Sequence, residues 1–181
     1  MEHGHPRATV VETLLEKYQK TPVIWKTIGE LGEVVSGKGL TKAELLDSGP
    51  VGCIHYGQIY TKYGTSATKT VSFCTEETAA KCTKVYKGDL IITDGSTSKE
   101  ENIGRGFAWL GDSPIVTMGG HMFVLHLAEE YDPLFLAYSL QSPHFRAQIK
   151  KYAVGASFKF ITRRHLRTLK IPLPPLEVQK E

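Results

Sequence analysis

Between Val51 and Leu127 the chain is written in short apolar runs broken every few positions by glycine or polar residues. After Pro133 helical spacing takes over. This order constrains the fold more than any single motif. Runs such as 90–93 and 121–127 are short and rich in β-branched residues, leucine or phenylalanine, as strands are. By contrast, "DPLFLAYSLQ" and "SPHFRAQIKKYA" place Pro133 and Pro143 in a first helical turn, the second behind a Ser142 cap. Strands first and helices last, with no regular βαβ alternation, predict an α+β domain.

The local signals fill in that outline. Val10, Val11, Leu14, Leu15 and Tyr18 repeat at helical spacing behind a Thr9–Glu12 capping box, and Thr41 with Glu44 opens a brief helix closed by Gly49. Strands are expected at the start of "VIWKTIGELGEVVSGKG", in "VGCIHYGQIYTKYG" around Gly52 and Gly57, in "TKTVSFC", at 90–93, around Phe107 to Leu110 and over 121–127. A turn at Lys87-Gly88-Asp89 and a polar loop from Asp94 to Asn102 separate them. Further helices should start at Thr75 and Thr162, the latter running into a strand-like "KIPL". Trp109, Phe123, Phe135 and Leu136 are expected in the core, and Trp25 against the first strand.

Several function classes drop out. No stretch approaches the ~20 apolar residues of a membrane span, and the N-terminus lacks the basic, apolar, small-residue order of a signal peptide. Three cysteines without a CxxC pair point to reduced thiols, hence a cytoplasmic location. The chain has no GxSxG, no Walker loop and no HExxH, and "SGKGLTK" falls short of a phosphate loop. Seven scattered histidines show no metal-ligand spacing with the cysteines. In "LPPL", Leu173 cannot accept hydrogen bonds from a target amine as the Asn or Asp of amino-methylating enzymes does. No catalytic residue, metal or cofactor is expected in this chain.

Charge supplies the positive signal. From Pro133 to Leu176 there is no Asp or Glu, while Arg146, Lys150, Lys151, Lys159, Arg163, Arg164, Arg167 and Lys170 contribute eight cations. With a formal net charge of +3, the rest of the chain stands at −5. An acid-free basic segment on an acidic body suits a polyanion, and nucleic acid in particular.

"YGQIYTKYG", "TVSFCTEETAAK", "KVYKGDLIIT", "NIGRGFAWLGD", "YAVGASFKFIT" and "LRTLKIPLPPLEVQKE", taken in order, resemble the target-recognition domain of specificity subunits of type I restriction-modification systems. The opening "ETLLEKY" and "VIWKTIGELGEV" resemble the lead-in to such domains. The resemblance implies a mixed, barrel-like β-sheet domain with several short helices. It divides the chain into an N-terminal helix and lead-in at 1–22, a DNA recognition domain at 23–173, and the truncated start of a conserved spacer helix at 174–181. It also implies that the chain chooses a DNA half-site and catalyses nothing itself. Modification subunits would methylate adenine from S-adenosylmethionine, and a restriction subunit, with its Mg and ATP, would join through the complex. A half-subunit that binds modification subunits without reading DNA is the alternative, and a homodimer is a further arrangement left open.

Recognition of duplex DNA needs cations on phosphates and polar groups at base edges. The phosphate role falls to Arg146, Lys150, Lys151, Lys159, Arg163 and Arg164. Gly155 either lets the backbone approach a partner closely or makes an ordinary turn. Two polar loops are the base-reading candidates: Tyr60, Lys62, Tyr63, Thr65, Ser66 and Lys69 in the first, and Ser96, Thr97, Ser98, Lys99, Asn102 and Arg105 in the second.

Overall fold

A computed structural model describes residue 16 and residues 22–39, 42–96 and 100–181. The expected N-terminal helix, and with it the 1–22 segment apart from residues 16 and 22, lies outside the described residues. Thirteen strands follow in chain order: β1 (Ile24–Thr27), β2 (Gly32–Ser36), β3 (Val51–His55), β4 (Ser66–Ala67), β5 (Ser72–Cys74), β6 (Lys84–Val85), β7 (Leu90–Thr93), β8 (Gly95–Ser96), β9 (Gly106–Trp109), β10 (Ile115–Met118), β11 (Met122–Leu127), β12 (Lys159–Phe160) and β13 (Lys170–Leu173). The helices are α1 (Tyr56–Gln58), α2 (Glu76–Ala79), α3 (Pro133–Ser139), α4 (Pro143–Tyr152), α5 (Arg163–Thr168) and α6 (Leu176–Gln179).

The central sheet runs β2-β11-β7-β9-β4, antiparallel except where β4 lies parallel to β9. Successive side chains on a strand point to opposite faces, and here both faces are covered. Leu90, Ile92, Ala108, Phe123 and Leu125 join Phe135, Leu136, Phe145, Ile149 and Leu166 of the helices in one core. Ile91, Phe107, Trp109, Met122 and Val124 turn the other way and meet Ile54, Val85 and Ile115 of a second sheet, β5-β3-β10-β6. Beyond that sheet Cys53, Cys74 and Val116 pack with Ala79 of α2. The layers are therefore helices, sheet, sheet, short helix. Each large aliphatic or aromatic side chain buried this way contributes roughly 1.5–3 kcal/mol. Sandwiching the sheet between two apolar layers explains why "DLIIT" and "HMFVL" read as unbroken apolar runs.

Caps stand where the sequence placed them. The hydroxyls of Thr75, Ser142 and Thr162 accept from the backbone N–H of Thr78 (3.2 Å), Phe145 (3.3 Å) and His165 (3.1 Å). Trp109, Phe123, Phe135 and Leu136 are buried as expected, whereas Trp25 is half exposed on β1 with its ring 4.7 Å from that of His144.

The mixed α+β domain of sheets and short helices is as expected, and its described strands form several sheets with no closed barrel. Other expectations need correction. The segment after His55 is helical rather than β: α1 runs into a π-helical turn, Ile59–Tyr63, despite its β-forming residues. A capping box built on His55 starts it, with His55 Nδ1 accepting from Gly57 N (3.2 Å) and Gln58 Oε1 accepting from His55 N (2.9 Å). The helix expected after Thr41 is a single 3-10 turn, Lys42–Glu44. Strand β10, between Pro114 and Gly119, is not among the strands expected from the sequence, yet it lies between β3 and β6.

The two ends of the described 22–181 segment meet. β13 pairs antiparallel with β1, Ile24 opposite Leu173 and Thr27 opposite Lys170. After Pro174 and Pro175, α6 turns back onto the domain. Val178 and Gln179 are buried there, and the Gln179 side chain accepts from Asp132 N (3.0 Å) and donates to Pro174 O (2.8 Å).

Candidate nucleic-acid interface

The acid-free segment folds back on itself between Val154 and Phe160, which exchange two backbone hydrogen bonds of 2.9 Å. Gly155 makes this reversal possible at φ +112°, where a Cβ would lie 2.0 Å from Phe158 O. Of the two roles open to it, the close approach it permits is to its own chain, so Gly155 is a turn residue. The returning strand, β12, then pairs with β8, placing Lys159 opposite Ser96 and Phe160 opposite Gly95. Ile161 N donates to Asp94 O at 2.9 Å. The polar 94–102 loop and the basic segment, far apart in sequence, thus share one edge.

A row of rings continues from that edge. Phe160 lies 6.2 Å from Phe158, Phe158 lies 4.7 Å from His121, His121 lies 5.5 Å from Tyr56, and Tyr56 lies 6.3 Å from Tyr60. Phe158 sits on the bare Cα of Gly95, where a Cβ would come within 2.5 Å of its Cζ. His121 Nδ1 is 3.4 Å from Asp94 Oδ1. Burial pushes the Asp94 carboxyl above its ordinary value, against the attraction of His121. The row ends at Tyr60, which links this one candidate of the 60–69 stretch to the edge shared by β8 and the basic segment. Tyr56, His121, Phe158 and Phe160 were not singled out from the sequence, because only the tertiary fold aligns them.

The other loop residues divide by exposure. Lys62 and Lys69 are exposed, and Tyr60 and Arg105 are half-buried. Thr65, Ser96 and Asn102 are 2%, 8% and 6% exposed, a correction to their assignment as base readers, since groups enclosed by protein cannot meet a base edge. Thr65 instead bridges to Ala108 N through its carbonyl (2.9 Å) and lies within hydrogen-bond reach of the Gln141 amide (3.4 Å). Asn102 O accepts from the Thr93 hydroxyl. Tyr63 is also committed to the fold, its ring against Phe107 and its hydroxyl accepting from Val71 N at 2.7 Å. Ser66 lies in β4, opposite Ala108. Thr97, Ser98 and Lys99 lie outside the described residues.

The proposed phosphate contacts also separate. Arg146 turns inward, its Nη1 donating to Ile103 O, so it tethers the end of the 94–105 loop to α4. Lys150 and Lys151 are exposed in the last turn of α4, where cations also suit the helix dipole. Arg163 and Arg164 are exposed in the first turn of α5, where they oppose the dipole, so helix stability does not explain them. With Arg167, Thr27, Thr162, Thr168 and one acid, Glu30, they line an open groove of about 670 Å³. Among the described residues no group of three or more His, Cys, Asp or Glu is placed to hold a metal ion, and no helix is long and apolar enough to cross a membrane.

Known proteins resemble this chain in sequence and in fold. The family model "Type I restriction modification DNA specificity domain" matches residues 22–181. The type I restriction enzyme MjaVIII specificity subunit of Methanocaldococcus jannaschii is 27% identical over 163 residues, 88% of this chain and 38% of its own length. A putative MjaX specificity subunit from the same organism is 44% identical over 52 residues, 29% of this chain and 12% of its own length. In fold, the chain is similar to the type I restriction-modification S subunit from M. genitalium (TM-score 0.57, 19% identity, 89% of this chain and 37% of that one). It is also similar to the HsdS subunit from Thermoanaerobacter tengcongensis (TM-score 0.60, 17% identity, 96% and 40%). The chain spans about two-fifths of the length of MjaVIII and of these two structures.

Proposed function

This chain belongs to the type I restriction modification DNA specificity domain family, and from that premise we propose that it binds duplex DNA and reads one half-site of a target sequence. It acts as the addressing component. Adenine methylation from S-adenosylmethionine, and cleavage with Mg and ATP, belong to partner modification and restriction subunits, and the chain itself is not an enzyme.

One observation carries the reading. The β8–β12 pairing brings the acid-free basic segment and the second polar loop to one edge, and the ring row extends that edge to Tyr60 of the first. A surface that reads duplex DNA needs cations for register beside polar groups for base edges. Tyr60, Lys62, Ser66, Lys69 and Arg105, with Thr97, Ser98 and Lys99, are the groups offered for base edges. Lys150, Lys151, Lys159, Arg163 and Arg164 are offered to phosphates.

The test is enrichment of a randomised duplex pool on the purified chain at low and at moderate salt. A motif of a few base pairs that persists as salt rises is the expected outcome, and retention without a motif that vanishes with salt would sink the reading. On the enriched site, Arg163→Ala with Arg164→Ala should weaken binding evenly across sequences. The pair should reduce the slope of log affinity against log salt by about 2, close to one for each phosphate that is no longer neutralised. An unchanged slope would remove both arginines from the interface.

A further inference from the structure

The ring row offers something an intact duplex does not use. In stacked DNA each base face is covered by its neighbours, and a protein meets base edges and phosphates. Aromatic side chains at a nucleic-acid surface act chiefly on base faces, which become available only where a nucleotide has left the stack. From this geometry we propose that Phe158, Phe160 and His121 form a platform for the face of an unpaired base, so that the domain holds DNA with one displaced nucleotide more tightly than perfect duplex. The proposal rests on the DNA-binding reading above.

Three observations support it. First, the rings come from separate segments: the helical turns after His55, the 119–121 connection and the 154–160 reversal. No single element's periodicity makes them neighbours. Second, they remain at the surface although the layers beneath are filled. Phe160 is 36% exposed, the His121 side chain is 49% exposed, and Phe158 is half-buried. Phe158 and Phe160 lie 22° from parallel, with one seated on Gly95 and the other paired into β12. Third, the charge fits a nucleotide. Lys159, between the two phenylalanines in sequence, is exposed, as are Arg163 and Arg164 shortly after Phe160 in sequence and Lys62 two residues after Tyr60. The acid touching the row, Asp94, is 16% exposed. Rings interleaved with cations are the composition of surfaces that bind unstacked nucleic acid.

Fluorescence anisotropy on the full chain tests this with three versions of the enriched duplex: intact, carrying one extrahelical thymidine, and carrying an abasic sugar at that position. Ring–base stacking predicts that the thymidine bulge binds about tenfold tighter than the intact duplex, with the abasic bulge losing that gain. Phe158→Leu with Phe160→Leu, its fold checked by melting temperature, should collapse the ratio of bulged to intact affinity towards one. Equal affinity for bulged and intact duplex in the unaltered protein overturns the proposal. So does an abasic bulge that binds as well as the thymidine bulge, which would show a preference for flexibility alone. Binding to none of the three would sink DNA recognition itself, an outcome separable from both.

Discussion

Asp94 holds a carboxylate where the fold would rather have a neutral group. Its side chain is 16% exposed, and Oδ1 accepts no hydrogen bond although His121 Nδ1 is 3.4 Å away. Burial raises its proton affinity above that of an ordinary Asp, for which the value is 3.8. The folded chain therefore binds this proton more tightly than the unfolded chain does. Stability attributable to Asp94 is gained as pH falls through the raised folded value and is missing at neutral pH. Asp94→Asn should accordingly raise Tm at neutral pH. The advantage should shrink on acidification and be gone below the ordinary carboxylate value. Paired melts across that range decide it, since a difference that ignores pH would assign the effect to something other than ionisation. Nothing in the sequence marked Asp94, which opens a polar loop like many solvated acids. Its neighbours Ile161 and His121, which bond its backbone, come from segments distant in sequence.

At the scale of elements, the 94–105 loop is anchored from beneath by Thr93, which is fully buried. Its hydroxyl donates to Asn102 O and accepts from Arg105 N at 3.1 Å, and its carbonyl accepts from Gly104 N at 2.7 Å. Thr93→Val keeps the shape and removes the hydroxyl's two bonds, leaving two backbone groups to find other partners. The expected cost is about 1–3 kcal/mol, read as a lowered denaturant midpoint, and a neutral result would mean the loop is held elsewhere. Elements of this kind were unequally legible. β7, β9 and β11 could be read because apolar runs of four to six residues survive burial on both faces. The two-residue strands β4, β6, β8 and β12 carry no period of their own and exist only through a partner distant in sequence. The helical turns after His55 were misread as strand because Ile59, Tyr60, Thr61 and Tyr63 are β-formers, and a histidine stands at the cap where Ser or Thr would have been recognised. The candidate interface could be proposed from the sequence as a basic segment and two loops. Which loop residues face outward was not, since the burial of Thr65 and Asn102 depends on segments brought in by the fold.

For the molecule as a whole, β13 acts as a closing strand. Ile171 and Leu173 enter the main core, Val178 is buried in α6, and β13 covers the hydrogen-bonding edge of β1. Deleting residues 170–181 should cost roughly 4–8 kcal/mol, the loss of two or three buried aliphatic side chains. Urea unfolding would register this as a large drop in midpoint, and a truncated chain with an unchanged curve would show that β13 is an ornament on a domain complete without it. The same ribbon has a mechanical side. Residues 22 and 174 leave it at one end, beside the Ile24–Leu173 pair, with Thr27–Lys170 at the other. A pull applied at residues 22 and 174 loads these four pairs in turn, in unzipping rather than in shear. Tension there opens the ribbon pair by pair and is spent on it before reaching the sheets behind it.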